Sequence, residues 1–538
     1  MAIEAGSALS SSRRDSLQAA GSVFFVSSAG RVLKLPIPSN SPRDPLTWSR
    51  SKRWLAFIAL QLYSVVASFE LNLLGVLGKA IRLEFDEDQD MGPFGIQTLS
   101  SAMTLFTGFG YLLAIPLSTG VGRRPVFVGA ALLTTTSTLW AGIAGGFTQL
   151  LTALCLQALA AGAAVSMCVL ITIDATFIDE RPSALSLFWC TGSAFIKMSL
   201  IILPFKTDLN TNWRIVYKIW TAPCFVALIA ALVFVPETYF LRPPVALDGR
   251  VLVQHSSEKV QIYAGWEEIE DLGSERPLPE LPVVHNPFSR LVIRKAPGAS
   301  FKGMLATYMQ MLLCILNPLT FWVSLLTGVI LSGAIFLGLT QPTFLAVTHG
   351  HDPENVSILL GVAGIVGSLV AFPFTGPLIS WFTRYYTMRA GGMRHAEVYL
   401  PGFAIPVITG LASVILNGLA IKMDWAPAWM YVSSSLSIFS WLAGNVAFTL
   451  WITEAFPRWA AAALSVQLFV GNLISFGIGS AITPWVHSDH IIEPTGLISA
   501  LMLVLGVLAV PIAFWGKSMR QYIHGRWSDS EKGALRPQ

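Results

Sequence analysis

A glutamate and a lysine stand inside apolar sequence: Glu70 in Ser68-Phe69-Glu70-Leu71-Asn72 and Lys197 in Phe195-Ile196-Lys197-Met198. An ionisable group at the centre of a hydrocarbon layer costs at least about 3 kcal/mol, so it marks a task or a partner. At about 1.5 Å of rise per residue, both groups lie roughly 20–25 Å from the side on which their apolar segments begin. Equal depth and opposite sign suggest a buried pair. Three readings stay open: substrate or proton coupling, a fixed ion pair between two helices, or two side chains that reach separately to the outer interface.

Other polar side chains interrupt the apolar segments. Gln61, Ser64 and Asn72 accompany Glu70; Trp322, Ser324 and Thr327 share a later segment; Gln467 and Asn472 share another. Trp441 and Asn445 stand one helical turn apart, where an indole offers a flat apolar face and an amide offers both a donor and an acceptor. That pair is expected to touch a ligand. An isolated serine in such a segment is read instead as a hydrogen bond between packed helices.

The elements that position these groups are membrane spans. The 538 residues are 53% hydrophobic and 12% charged, whereas a soluble domain carries about 25% charged residues. Apolar runs long enough to cross a ~30 Å hydrocarbon core are read at 54–79, 95–117, 125–146, 149–174, 184–205 and 213–235. They resume at 317–343, 356–381, 400–420, 427–452, 460–484 and 495–516. The fold class is therefore an all-α membrane protein of twelve transmembrane helices in two six-helix halves. Arg123, Arg124, Arg181, Arg384, Arg389, Arg394 and Arg458 fall in alternate loops, and Asp86, Glu87, His351, Asp352 and Asp489 fall in the others. Lys and Arg resist translocation, so both termini are expected in the cytoplasm.

The expected organisation is a polar, largely disordered cytoplasmic tail over 1–53, a first half over 54–239, a cytoplasmic linker over 240–316, a second half over 317–516 and a tail over 517–538. An amphipathic helix near Phe288 to Phe301, or a plain flexible linker, is expected between the halves. The early apolar patch Val23 to Val26 is too short for a cleavable leader. The five cysteines show no paired spacing and read as buried hydrophobes, and no cluster has metal-ligand spacing. No glycine-rich phosphate loop or nucleophile–base arrangement stands out, so neither a cofactor nor an enzyme is expected. The net charge of +4 does not indicate nucleic acid. Asn355-Val356-Ser357 is a glycosylation sequon in an outer loop.

The loop Pro116-Leu117-Ser118-Thr119-Gly120-Val121-Gly122-Arg123-Arg124-Pro125 resembles the helix 2–3 loop of the major facilitator superfamily, whose pattern runs Gly-x-Leu-Ala-Asp-Arg-x-Gly-Arg-Arg/Lys. The Leu, the second Gly and the Arg pair match; Thr119 stands for the Asp and Ile115 for the first Gly. Pro377-Leu378, Ser380 and Arg384 echo it in the second half. Asp44-Pro45-x-x-Trp48, Asp174 with Arg181, Trp213-Arg214, Pro236-Glu237-Thr238-Tyr239 and Glu397 to Pro401 resemble the fungal drug:proton antiporter branch, with Tyr399 where that branch has Arg. Leu154 replaces the Arg that precedes Gln157 by three positions, and Thr191 to Pro204 keeps almost none of the Gly-Pro repeat of antiporters.

The resemblance implies spans one, four, seven and ten around a central cavity, and a gating set of Thr119, Gly122, Arg123, Arg124, Asp174, Arg181, Ser380, Arg384 and Glu454. Asp174, Glu237 and Glu454 are expected to accept from loop arginines such as Arg123 or Arg458. The substrate-binding or coupling set is Glu70, Lys197, Asn72, Gln61, Trp322, Trp441 and Asn445.

The expected function is secondary transport of a small, largely apolar organic compound, as efflux of a drug or secondary metabolite. Its expected partners are that substrate, protons and the lipid bilayer, and a monomer in the plasma membrane is expected. A proton-independent facilitator or importer is the alternative, which the missing Arg and Gly-Pro residues fit. A non-transporting membrane sensor or scaffold is a third reading. The topology has a direct test: a tag in the 486–493 loop should be labelled from outside intact cells, and cytosolic accessibility would overturn the assigned sidedness.

Overall fold

The structure, a computed structural model, describes residues 22–24, 35–36, 38, 43–85, 95, 97–203, 212–240, 251–254, 260–263, 294–347, 353–389, 393–487 and 491–527. Lipid offers no hydrogen bonds, so each apolar run satisfies its backbone within itself as a helix. The first half contains α1 (Arg50–Phe85), α2 (Gln97–Val121), α3 (Arg123–Ile143), α4 (Phe147–Asp174), α5 (Arg181–Ile202) and α6 (Trp213–Phe234). A further helix, α7 (Phe301–Leu316), leads into the second half. There follow α8 (Pro318–Val347), α9 (Pro353–Thr375), α10 (Pro377–Arg389), α11 (Ala404–Lys422), α12 (Ala428–Ala455), α13 (Ala460–His487), α14 (Ile492–Val507) and α15 (Ala509–Trp527). Among the described residues, eleven helices are long and apolar enough to cross a membrane, and the pair α14–α15, bent by 42°, makes a twelfth span.

Local sequence sets the breaks. Gly122 has φ 115°, a left-handed conformation that suits glycine, and it separates α2 from α3. Pro182 sits in the first turn of α5, where its missing N–H is harmless. Gly376 and Pro377 separate α9 from α10. At the outer end of α1, Glu84 accepts from Arg214 Nη2 at 2.7 Å and from Trp213 Nε1 at 2.7 Å. These hydrogen bonds hold the Glu84 carboxyl below its ordinary value.

The non-membrane segments hold three features that the sequence pattern does not specify. Of the stretch Phe288 to Phe301 expected to hold an amphipathic helix or a flexible linker, residues 294–300 are turn and coil, and 288–293 lie outside the described residues. The helix is α7, started by Ser300, whose Oγ accepts from Gly303 N at 3.0 Å. Its exposed residues Phe301, Leu305, Met309, Leu312 and Leu316 form one apolar stripe, while Thr307, Gln310, Met311 and Cys314 are buried on the other side. The N-terminal tail contributes a strand, β1 (Ser22–Phe24), paired antiparallel with Met393–His395 ahead of α11. It also contributes a buried Leu35 whose carbonyl accepts from Ile178 N at 2.7 Å. The rest of the disorder expected there lies outside the described residues. At the other terminus α15 continues to Trp527, and its Arg520 is buried.

The halves meet along two seams, α2 against α13 and α5 against α9. At the first, Ser465 Oγ donates to Tyr111 O at 2.9 Å, and the Phe109 and Phe469 rings lie 5.9 Å apart. At the second, Ser186 Oγ lies 2.6 Å from Thr375 Oγ1, and Ser368 Oγ donates to Ser193 Oγ at 2.9 Å. Spans α4 and α12 are the most completely buried, α5 and α6 the least. Every residue from Ala164 to Asp174 and from Leu442 to Ala455 is buried, while Asn72, Gly75, Gly338 and Val432, nearer the other side, are exposed. The bundle is packed shut at the side that the basic loops assign to the cytoplasm.

Spans α2 and α4 approach closely at two glycines. A Cβ on Gly162 would lie 2.1 Å from Thr107 O, and one on Gly110 would lie 2.3 Å from Leu159 O. Gly162→Val should lower stability by about 2 kcal/mol or more, read as a lower melting temperature in detergent. Gly129→Ala, where nothing lies within 4 Å of the new Cβ, should be neutral or stabilising.

Candidate functional site

Glu70 is 1% exposed. Its Oε1 accepts from Thr138 Oγ1 of α3 and from Cys224 Sγ of α6, the latter at 3.3 Å. Its Oε2 has no hydrogen-bond partner among the described residues. Phe69 stacks on Trp220 with ring centroids 3.7 Å apart. Thr138 Oγ1 also lies 2.7 Å from Thr134 O, and Tyr63 OH lies 3.1 Å from Thr134 Oγ1. Hydroxyl and thiol groups from three helices thus surround the carboxyl. One Thr138 hydrogen faces two acceptors, the Thr134 carbonyl and Glu70 Oε1. A proton on Glu70 would resolve this, because the acid would then donate to Thr138 Oγ1.

Lys197 lies elsewhere. Its Nζ donates to Asn72 Oδ1 at 3.5 Å, and its stem lies against Gly364 of α9, where a Cβ would be 3.1 Å from Lys197 Cγ. Glu70 and Lys197 form no ion pair, which corrects the expected pairing. The reason is rotational: Asn72 follows Glu70 by two residues, about 200° around the helix. The face of α1 that meets Lys197 is thus nearly opposite the face that carries Glu70.

The remaining expected ligand contacts are largely engaged within the protein. The Gln61 amide lies against α5, oriented with Phe188 O at 3.3 Å and Gly192 N at 2.8 Å. Trp322 Nε1 donates to Leu505 O at 2.8 Å, and its ring stacks on Phe403 at 5.5 Å. Asn445 is buried and donates from Nδ2 to Trp441 O at 2.8 Å, while Trp441 is partly buried. Gln157 of α4 was read from sequence only as a register marker. It is fully buried, and neither amide atom has a hydrogen-bond partner among the described residues. The signal was present: an amide between Leu156 and Ala158 in an otherwise apolar span.

The inner rim carries a second polar cluster. Arg123, 1% exposed, pairs through Nε with Asp174 Oδ2 at 2.5 Å, and its Nη1 donates to Ser118 Oγ at 3.4 Å. Glu237 caps α3, accepting from Arg123 N at 3.0 Å and Arg124 N at 3.2 Å, and it also accepts from Tyr239 N at 2.8 Å. Burial pushes the Glu237 carboxyl up, and these N–H groups oppose that. Arg124 Nη2 donates to Leu232 O at 2.9 Å. Thr119 donates to Pro116 O at 2.7 Å, lies 3.2 Å from Thr307 Oγ1, and accepts through its carbonyl from Ser300 N at 3.2 Å. The motif position is therefore tied to α7.

In the second half, Glu454 accepts from a loop arginine, Arg394, whose Nη2 lies 3.4 Å from Glu454 Oε1; the Arg458 side chain lies outside the described residues. Tyr399 OH also donates to Glu454 Oε1, at 2.7 Å. Glu397 takes two hydrogen bonds from Arg520 Nη2, at 2.6 and 2.7 Å. Ser380 Oγ lies 3.2 Å from Ser183 Oγ across the seam, Arg181 is buried and Arg384 is exposed. Asn355 is exposed in the first turn of α9. The five cysteines are free and buried, and no cluster among the described residues suits a metal.

Arg123→Met leaves Asp174 buried and alone, which should cost about 3–5 kcal/mol. Pairing it with Asp174→Leu should recover a large part of that loss. Thermal unfolding of the three variants checks the coupling.

A sequence profile of the Major Facilitator Superfamily matches residues 54–480. An uncharacterized MFS-type transporter of Schizosaccharomyces pombe is 18% identical, over 92% of this chain and 89% of its own. The major facilitator superfamily multidrug transporter mdrA of Aspergillus fumigatus is 23% identical, over 88% of this chain and 72% of its own. Among solved structures, the human organic anion transporter MFSD10 (TETRAN) aligns with a TM-score of 0.52 at 14% identity, covering 86% of this chain and 100% of that one. The nucleoside transporter NupG aligns with a TM-score of 0.50 at 11% identity, covering 85% of this chain and 99% of that one.

Proposed function

Since this chain belongs to the major facilitator superfamily, we propose that it exports a small organic compound by alternating access, with Glu70 as the group that carries the coupling proton. The observation that carries this reading is the Glu70 shell. A carboxyl 1% exposed is met by a hydroxyl and a thiol, with no cation in ion-pair range among the described residues. An ionised carboxylate left so would be an uncompensated buried charge, whereas the neutral acid is compatible with that shell. The proton would leave when helix movement admits water or a cation.

The halves proposed to move are residues 54–239 and 317–516, with 1–53 and 517–538 as cytoplasmic tails and 240–316 as the link. In this structure Arg123–Asp174 holds the inner end of the first half together and Arg394–Glu454 that of the second. Those contacts are proposed to part when the protein opens to the cytoplasm. The name of the multidrug transporter mdrA supports a drug-like substrate, a secondary metabolite is the other proposed cargo, and a monomer in the plasma membrane is the proposed setting.

A second reading, an uncoupled facilitator, is favoured by one observation. Glu70 faces α3 and α6, away from the Lys197 side of α1. Purified protein in vesicles separates the two. A coupled exporter should show uphill flux of a fluorescent drug under an imposed pH gradient. Glu70→Gln should abolish the pH-driven component by tenfold or more, to about the level without a gradient, while leaving downhill exchange. Full pH-driven flux in that variant would remove Glu70 from coupling, and flux indifferent to pH in the wild type would establish the facilitator.

A further inference from the structure

Lys197 is the unanswered charge of the spans. It lies in α5, well inside the apolar run Arg181–Ile202, and no acidic side chain stands within ion-pair distance among the described residues. Its one hydrogen bond, to Asn72 Oδ1, is 3.5 Å long. Asn72 Nδ2 is already committed to Ser68 O at 2.8 Å, so the amide oxygen is what faces the ammonium.

Three features place this cation on a route rather than in a core. Lys197 and Asn72 are both accessible, as is Gly75 one turn further along α1, and a Cβ on Gly75 would find nothing within 4 Å. A charged or amide side chain at this depth faces a watered cavity rather than lipid. Lys197 also sits on the α5–α9 seam, with its stem on Gly364 of the other half, so a ligand bound there would touch the surface that must move. The inner halves of α4 and α12 are packed shut, whereas Lys197 and Asn72 stand toward the outer ends of α5 and α1.

We propose that Lys197, oriented by Asn72, binds the carboxylate of an amphipathic organic acid, and that such acids are the substrate class of this transporter. The proposal rests on the transport reading and deepens it. An ammonium retained in a span without an acidic neighbour is satisfied by a mobile anion, and a charge-assisted hydrogen bond from Nζ to a carboxylate oxygen is the strongest contact open to it. Ile201, one turn along α5 on the same face and packed beside Gly361, suits the hydrocarbon portion of such a ligand.

The test uses two probes of one shape, 1-naphthaleneacetate and its neutral amide, with purified full-length protein in lipid nanodiscs and vesicles. Wild type should bind the acid about tenfold tighter than the amide. Lys197→Gln should erase that preference without weakening amide binding, and Lys197→Arg should keep it. Equal affinity for both probes in wild type, a comparison that needs no variant, would overturn the proposal. So would a preference that survives Lys197→Gln. Flux tells the two readings apart. Lys197-dependent acid binding with no flux of either probe would support the anion site and count against transport. Flux of the amide equal to that of the acid and unchanged in Lys197→Gln would support transport and overturn the anion site.

Discussion

A guanidinium 1% exposed at the inner end of a membrane bundle is tolerable only if its charge is answered on the spot, and the inner rim of this protein is organised around that need. Arg123 opens α3, and Asp174 closes α4. Their pairing brings the ends of two spans to one point, with Ser118 of α2 as a third contact. Glu237 then gathers the backbone of the same turn, so the exit of α6 is drawn in as well. Four spans of the first half are fixed by two carboxylates. The second half repeats the arrangement with different residues. Glu454 near the end of α12 takes Tyr399 and Arg394, and Glu397 takes Arg520 from α15.

The same rule acts differently within the spans. Glu70 lacks a cation and is wrapped in groups that donate weakly, whereas Lys197 lacks an anion and is left accessible. The two charges lie on nearly opposite faces of α1, so neither cancels the other. A bundle that kept them for architecture alone would have placed them together, as it did Arg123 and Asp174. Their separation leaves each available to something that comes and goes.

The fold was legible because lipid imposes a coarse constraint that composition records directly. Long apolar runs, breaks at Gly122, Pro182 and Pro377, and arginines in alternate loops carry most of the architecture. The site was less legible because depth can be read from position along a helix, whereas facing depends on packing. Glu70 and Lys197 share a depth but not a face, and the expected pairing fails for that reason. Trp322 and Asn445 were polar marks whose hydrogen bonds closed onto nearby carbonyls, at Leu505 and Trp441. Replacement of the motif residues was visible in sequence, but its compensation was not. Thr119 turns to Thr307 of α7, and Tyr399 supplies a hydroxyl to Glu454. Both partners are distant in the chain, and no local pattern announces them.

The α5–α9 seam joins small side chains along most of its length, from Ser186 beside Thr375 to Ile201 beside Gly361. At the helical rise that is more than about 20 Å of continuous contact. Two rods that touch over such a length, with side chains of one seated on glycines of the other, favour rolling about their common line. They resist separation or tilt. The second seam, between α2 and α13, has bulky rings at Phe109 and Phe469 and lacks that smoothness. Any rolling of the halves along the α5–α9 seam would carry Gly364 past the side chain of Lys197.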